Sequence, residues 1–312
     1  MKPVLAFVLA LLSVLHSGRA YCPAGRQAKM YAVDGSGLGG SNGGGGGSFV
    51  PTSLYIIDPS DGSSELLGEL GVGYEHAVGI AACPFSSKLY AVDNGDDLNA
   101  TLLMLDPHTG AATHIGYTGY QIADLAFAPD GTLYGWAEIS SEGVSGGLDF
   151  LVTINTETGV TTRLDDFVQE TRQSGVAVDH DGTVWLKRDD WIPGPAKNFL
   201  HRLTSTGLED TSVEMTTRTD NMLAYSPDGM LYTAKRGPGV SNLQTIDPAT
   251  GAVDSLSNTA IPRLAGFTFR CETGLTGGAA VGAIIGIIFG FILLLVCCCA
   301  CMGWMSNRAR RD

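Results

Sequence analysis

Apolar and polar positions alternate in short runs along most of this 312-residue chain, and the runs recur in a fixed order. One run carries Tyr or Trp at its second position: MYAVD (30–34), LYAVD (89–93), LYGWA (133–137), VWLKR (184–188) and LYTAK (231–235). Another reads LYIIDPSDG (54–62), LLMLDPHTG (102–110), LVTINTETG (151–159), LHRLTSTG (200–207) and LQTIDPATG (243–251). A third leads directly into the Tyr/Trp run: VGIAACPF (78–85), ADLAFAPDG (123–131), SGVAVDHDG (174–182) and NMLAYSPDG (221–229). Alternation of this kind predicts half-buried strands. Pro-Asp-Gly and Asp-Gly predict hairpins between the third run and the first. Asp-Pro-x-Thr-Gly turns the chain again, because Pro pre-sets φ and Gly accepts positive φ. A weaker strand follows each such turn, as in SSELLGEL (63–70), AATHIG (111–116) and VTTRLDDF (160–167).

Asp58, Asp106, Asn155, Thr204 and Asp247 align at spacings of 48, 49, 49 and 43 residues. Four strands per period make one propeller blade, which cannot bury both faces without neighbours. The first Tyr run has no inner strand before it, and LAGFTFRC (264–271) has no outer strand after it. The two ends therefore complete one blade, and the expected fold is an all-β, five-bladed β-propeller over residues 21–272. Closure leaves no long free edge. It also brings the segment after Tyr21 near Cys271, which predicts a Cys22–Cys271 disulfide. Cys83 occupies the position equivalent to Cys22 in the next blade and is expected as a free, buried thiol. Equivalent positions in adjacent blades lie too far apart for a Cys22–Cys83 bridge.

The LYAVD, AFAPDGTLY and IDPxTG elements resemble the repeats of the NHL, YVTN and SMP-30-type propellers over roughly residues 22–271. No single family is matched closely, since the GH…WD signature of WD40 repeats and the YWTD motif are absent. SMP-30 members hydrolyse lactones with a metal in the central channel. The resemblance therefore implies a test of the residues nearest the axis. Alignment places Gly79, Asp124, Gly175, Met222 and Gly266 in one axial layer, with Val78, Ala123, Ser174, Asn221 and Ala265 in the layer above. One carboxylate and one amide are few for a hard cation, which takes six or more oxygens. Asp124, Asn221, Asp220, Glu75 and His76 are the candidate axial ligands.

The ends of the chain set its compartment. Lys2, the apolar run 4–15 and small residues at Gly18 and Ala20 predict a signal peptide over 1–20. After a juxtamembrane linker at 273–276, residues 277–300 contain no charge and reach about 36 Å as a helix, enough to cross a bilayer. Arg308, Arg310 and Arg311 in the tail, 301–312, place that end in the cytoplasm. A GPI signal would end in its apolar tail instead. The expectation is a type I protein of the plasma membrane or a secretory-pathway membrane, with the propeller outside or in the lumen.

This topology separates the seven cysteines. Cys297, Cys298, Cys299 and Cys301 lie at the inner end of the helix, where thiols are palmitoylation sites or simply small apolar residues. Gly278, Gly282, Gly286 and Gly290 recur every four residues and form one stripe, which suits close helix association and a homodimer. Asn99-Ala100-Thr101 is a glycosylation sequon.

Net charge is −13 for the chain, and near −17 for the 14 basic and 31 acidic residues of the propeller region. Such a field disfavours nucleic acid. Gly143-Val144-Ser145-Gly146-Gly147 satisfies G-x-S-x-G, yet strands flank it on both sides where the nucleophile elbow needs a helix. Gly35 to Gly40 satisfies G-x-G-x-x-G but runs into SNGGGGGS, so no helix N-terminus awaits a phosphate. His108, His114, His180 and His201 fall in turns or outer strands and read as solvent-facing. The Asp93–Asp97 and Asp179–Gly182 turns could hold Ca2+ loosely or serve as ordinary turns; no other cofactor is expected. Two functions remain open: a recognition module for an extracellular or lumenal protein or glycan, and a membrane-tethered metal-dependent lactonase.

Overall fold

A computed structural model describes residues 28–35, 51–95, 99–138, 148–170, 175–190, 197–204, 207–208, 213–217, 219–220, 222–237, 240–261 and 263–271. β1 (Ala28–Asp34), β2 (Ser53–Ile57) and β3 (Ser64–Glu69) open the chain. β4 (Ala77–Ala82), β5 (Leu89–Asp93), β6 (Thr101–Leu105) and β7 (Ala112–Tyr117) form the next sheet in chain order. β8 (Gln121–Phe127), β9 (Leu133–Glu138), β10 (Leu148–Ile154) and β11 (Thr161–Glu170) form the third. In the fourth, β12 (Gly175–Val178), β13 (Val184–Asp190) and β14 (Lys197–Thr204) carry the short β15 (Gly207–Leu208) and β16 (Val213–Glu214). β17 (Ala224–Tyr225), β18 (Leu231–Arg236), β19 (Ser241–Ile246) and β20 (Val253–Thr259) make the fifth, and β21 (Leu264–Cys271) ends the described chain.

β21 joins the first sheet, pairing antiparallel with β1 from Cys271 opposite Ala28 to Gly266 opposite Val33. The expected all-β, five-bladed propeller is thus the observed fold, closed by its two ends. No helix among the described residues is long and apolar enough to cross a membrane. The segments 1–20, 273–276, 277–300 and 301–312, the glycine stripe from Gly278 to Gly290 and the four cysteines from Cys297 to Cys301 lie outside the described residues. So do Cys22, Asn221, residues 36–50 and the 143–147 loop.

The recurring residues act between blades. Tyr90 meets Phe127 of the next inner strand edge to face at 5.4 Å, and Tyr232 meets Phe269 likewise at 4.8 Å. Where the outer turn carries Asp or Asn, its side chain accepts backbone N–H groups: Asp106 from His108 and Thr109, Asn155 from Glu157 and Thr158, Asp247 from Ala249. The turn glycine then packs on the outer strand of the preceding blade. Gly159 has φ of +77°, and a Cβ there would stand 2.7 Å from the backbone of Gly116. Gly110 meets Gly68 in the same way, and Gly62 meets Asn258 across the closing seam.

In three blades a side chain at the entrance of the third strand holds the loop into the following blade. Thr52 Oγ1 accepts from Ala77 N, Asn198 Oδ1 accepts from Thr219 N, and Ser241 Oγ donates to Ile261 O. Cys83 is free and half-buried, and Cys271 is disulfide-bonded to a partner outside the described residues.

Candidate functional site

The inner strands meet at the axis. Gly79, at φ +50°, has no room for a Cβ: one would lie 2.9 Å from Asp124 Cα, and a Cβ on Gly266 would lie 2.9 Å from Gly79 Cα. Strands β21, β4 and β8 therefore touch backbone to backbone. Asp124 spans the remaining distance to the other two blades. Its Oδ2 accepts from Val176 N of β12 at 3.0 Å and from Leu223 N, just before β17, at 3.1 Å; its Oδ1 accepts from Leu125 N at 3.0 Å. The side chain is buried, and loss of hydration pushes its pKa up to about 8 against the pull of those three N–H groups and nearby Lys187.

The segment ahead of β17 is held by the Asp220 N–H donating to Ala234 O of β18 at 2.8 Å and by side chains. Lys187, fully buried, donates Nζ to the carbonyls of Thr219 and Asp220. Thr233 Oγ1 donates to Met222 O at 2.9 Å. Asp220 is thereby fixed beside Arg236, whose backbone N–H donates to the carboxylate and whose Nε lies 3.3 Å from Oδ2.

Above this layer, on the face where inner strands begin, lies a cavity of about 390 Å³. Its base is made of Val78, Ala123, Met222 and Ala265, and its wall carries His76, Asn94, Gln121, Glu138 and Arg236. Asn94 is fully engaged: Nδ2 donates to Ile122 O at 3.0 Å and Oδ1 accepts from Ile122 N at 3.1 Å, tying blade to blade. Gln121 has no side-chain hydrogen bond among the described residues. The two Nη groups of Arg236 likewise have no protein partner among them, and its side chain is 32% exposed.

Of the axial candidates read from the sequence, His76 lines the cavity and donates its backbone N–H to Asp93 at 2.9 Å. Asp220 stands behind Arg236, and half-buried Glu75 is not part of the lining. Asp124 does not face the cavity, because its oxygens are occupied by backbone donors from three blades. This donor set does not fit Ca2+, and among the described residues no three His, Cys, Asp or Glu side chains gather as a metal site. In the Asp-rich turns, Asp93 accepts from His76 and Gly95, with Asp96 and Asp97 outside the described residues, and Asp179 accepts from Asp181, Thr183 and Trp185 Nε1. Burial raises the pKa of Asp93, and of Asp34 in the preceding blade. Asn99 is exposed at a bend before β6.

His108 and His114 are exposed, as read from the sequence. His180 is not simply solvent-facing: its ring meets Tyr225 at 5.0 Å and Nε2 lies 3.1 Å from Pro227 O, because the fourth hairpin leans on the fifth. His201 is half-buried. Sequence reasoning missed Lys187, Asn198, Gln121 and Arg236. For Lys187 a signal existed, since it stands where the other Tyr/Trp runs carry Val33, Val92, Trp136 and Ala234.

No protein-family model and no curated protein matches this chain. Among solved structures, TolB of Acinetobacter baumannii is similar at 14% identity, over 78% of this chain and 66% of its own, with a TM-score of 0.45. A Bacteroides uniformis protein provisionally named a 6-phosphogluconolactonase is similar at 11% identity, over 78% of this chain and all of its own, at 0.43. A gluconolactonase of Xanthomonas campestris reaches 13% identity over 68% of this chain and 73% of its own, at 0.41. Scores this low carry no argument about ligand or reaction, and the five-bladed ring rests on the strand pairing itself.

Proposed function

We propose that this chain is a membrane-anchored recognition module. Its exported propeller, held to a bilayer by the 277–300 segment, presents the cavity-bearing face to an extracellular or lumenal protein or glycan. The observation that carries this reading is the construction of the axis. Among the described residues Asp124 is the one axial carboxylate and is occupied in joining three blades, while Gln121 and Arg236 at the cavity above it keep hydrogen-bonding groups that have no partner among those residues. Such a concave site with a few polar groups on a short apolar base suits the holding of a ligand. The exposed sequon at Asn99 suits an exported surface.

The lactonase reading needs a metal held by axial oxygens, and those of Asp124 are already taken by backbone donors. The discriminating experiment takes the intact chain in nanodiscs and measures binding to glycan and ectodomain arrays beside EDTA-sensitive hydrolysis of sugar lactones. Saturable binding of one class without hydrolysis is expected. EDTA-sensitive turnover with no binding would replace recognition by catalysis.

A further inference from the structure

Arg236 is arranged as a half-used anion fork. Asp220 engages its Nε and its backbone N–H, which restrains the guanidinium at the cavity wall and leaves both Nη groups without a partner among the described residues. Asp220 is itself set by Lys187, whose Nζ donates to the carbonyls of Thr219 and Asp220, one on either side of the Asp220 Cα. A guanidinium held on one edge loses little further freedom when its other edge binds a planar, two-oxygen partner. Carboxylate is the matching group.

The rest of the cavity limits what that carboxylate is attached to. Gln121 supplies an amide, without a partner among the described residues, that both donates and accepts and so suits hydroxyl groups. The base is made of short side chains around Met222, too small a surface for a fatty chain, and the imidazole of His76 is the single ring among the described lining residues. A volume of about 390 Å³ accommodates a small ligand or the end of a larger one. We infer that the axial cavity binds a sugar acid, with Arg236 taking the carboxylate, Gln121 taking hydroxyls, and Asp220 and Lys187 acting as positioning residues. This inference rests on the recognition reading and names its site and ligand chemistry.

The test uses the intact chain in nanodiscs, with saturation-transfer NMR on three probes of one size: glucuronate, its neutral amide glucuronamide, and glucose. Glucuronate is expected to bind at least tenfold more tightly than either neutral sugar. Arg236→Gln should remove that preference, whereas Arg236→Lys should keep part of it. Gln121→Ala should weaken all three probes without altering their order, and melting curves of each variant verify that the propeller is intact. Equal binding of the three sugars, undiminished preference in Arg236→Gln, or no binding at millimolar concentration would overturn the inference. A protein or glycan captured on the arrays and not displaced by glucuronate would overturn it too, while leaving the recognition reading in place. A glycan-borne uronate is distinguished from a free sugar acid by whether the array ligand competes with the probe.

Discussion

Replacing Asp124 separates its role as a tie between blades from any role as a ligand. In Asp124→Ala the N–H groups of Leu125, Val176 and Leu223, which now donate at 3.0, 3.0 and 3.1 Å, lose their side-chain acceptor. Each such group costs about 1–3 kcal/mol, so the loss is about 3–9 kcal/mol before any cavity is counted. Asp124→Asn can keep the bonds from Val176 and Leu223 through its amide oxygen but turns an NH2 toward Leu125 N, losing one bond at about 1–3 kcal/mol. The pH dependence gives a second reading. Folded Asp124 holds its proton to about pH 8, while the unfolded chain releases it near 3.8. Between those values the folded state binds more protons, so stability is greatest at the acid end and falls as pH rises, by at most about 1.4 kcal/mol per unit for this group. Above pH 8 its contribution is flat. Urea unfolding of residues 21–272, followed by tryptophan fluorescence from pH 4.5 to 9, should rank wild type above Asn and Asn above Ala near pH 5. Asp124→Asn should also flatten the slope. An Ala variant within 1 kcal/mol of wild type, or an Asn variant with the full slope, would refute the role assigned to this carboxylate.

Gly159→Ala should lower stability by about 1–3 kcal/mol, from its positive φ and the Cβ clash with Gly116, whereas Gly182→Ala, with open space around it, should show the φ penalty alone; thermal melts compare them. Non-reducing peptide mapping should recover Cys22 joined to Cys271, with Cys83 alkylated fully only after unfolding, and a Cys22–Cys83 peptide would require another blade register. Gly282→Ile with Gly286→Ile should reduce self-association in a membrane two-hybrid assay without changing insertion; unchanged association would make the glycine stripe compositional.

Much of the ring was legible because its determinants repeat. The Tyr of each LYAVD-type run recurs since it packs on the next blade, and the Asp and Gly of each outer turn recur since one caps the turn and the other fits against the preceding strand. Closure was legible from two complementary half-blades. The site was less so, because its groups are departures from the repeat whose partners are distant in sequence: Asp124 reaches N–H groups 52 and 99 residues away. Alignment could place that carboxylate on the axis, but periodicity carries no record of what it bonds. Lys187 in an apolar column and Arg236 beside Asp220 are likewise exceptions, and their meaning appears only when β13, β18 and the chain before β17 are set side by side.

Proximity labelling on living cells, with a peroxidase placed just after residue 21 of the intact chain, bears on recognition itself. The expected result is a reproducible set of secreted proteins or surface ectodomains, with at least one member lost in Arg236→Gln while surface abundance is unchanged. A label set confined to cytosolic proteins, or one identical to that of the 273–312 anchor carrying the peroxidase alone, would contradict the reading of this propeller as an exported recognition module.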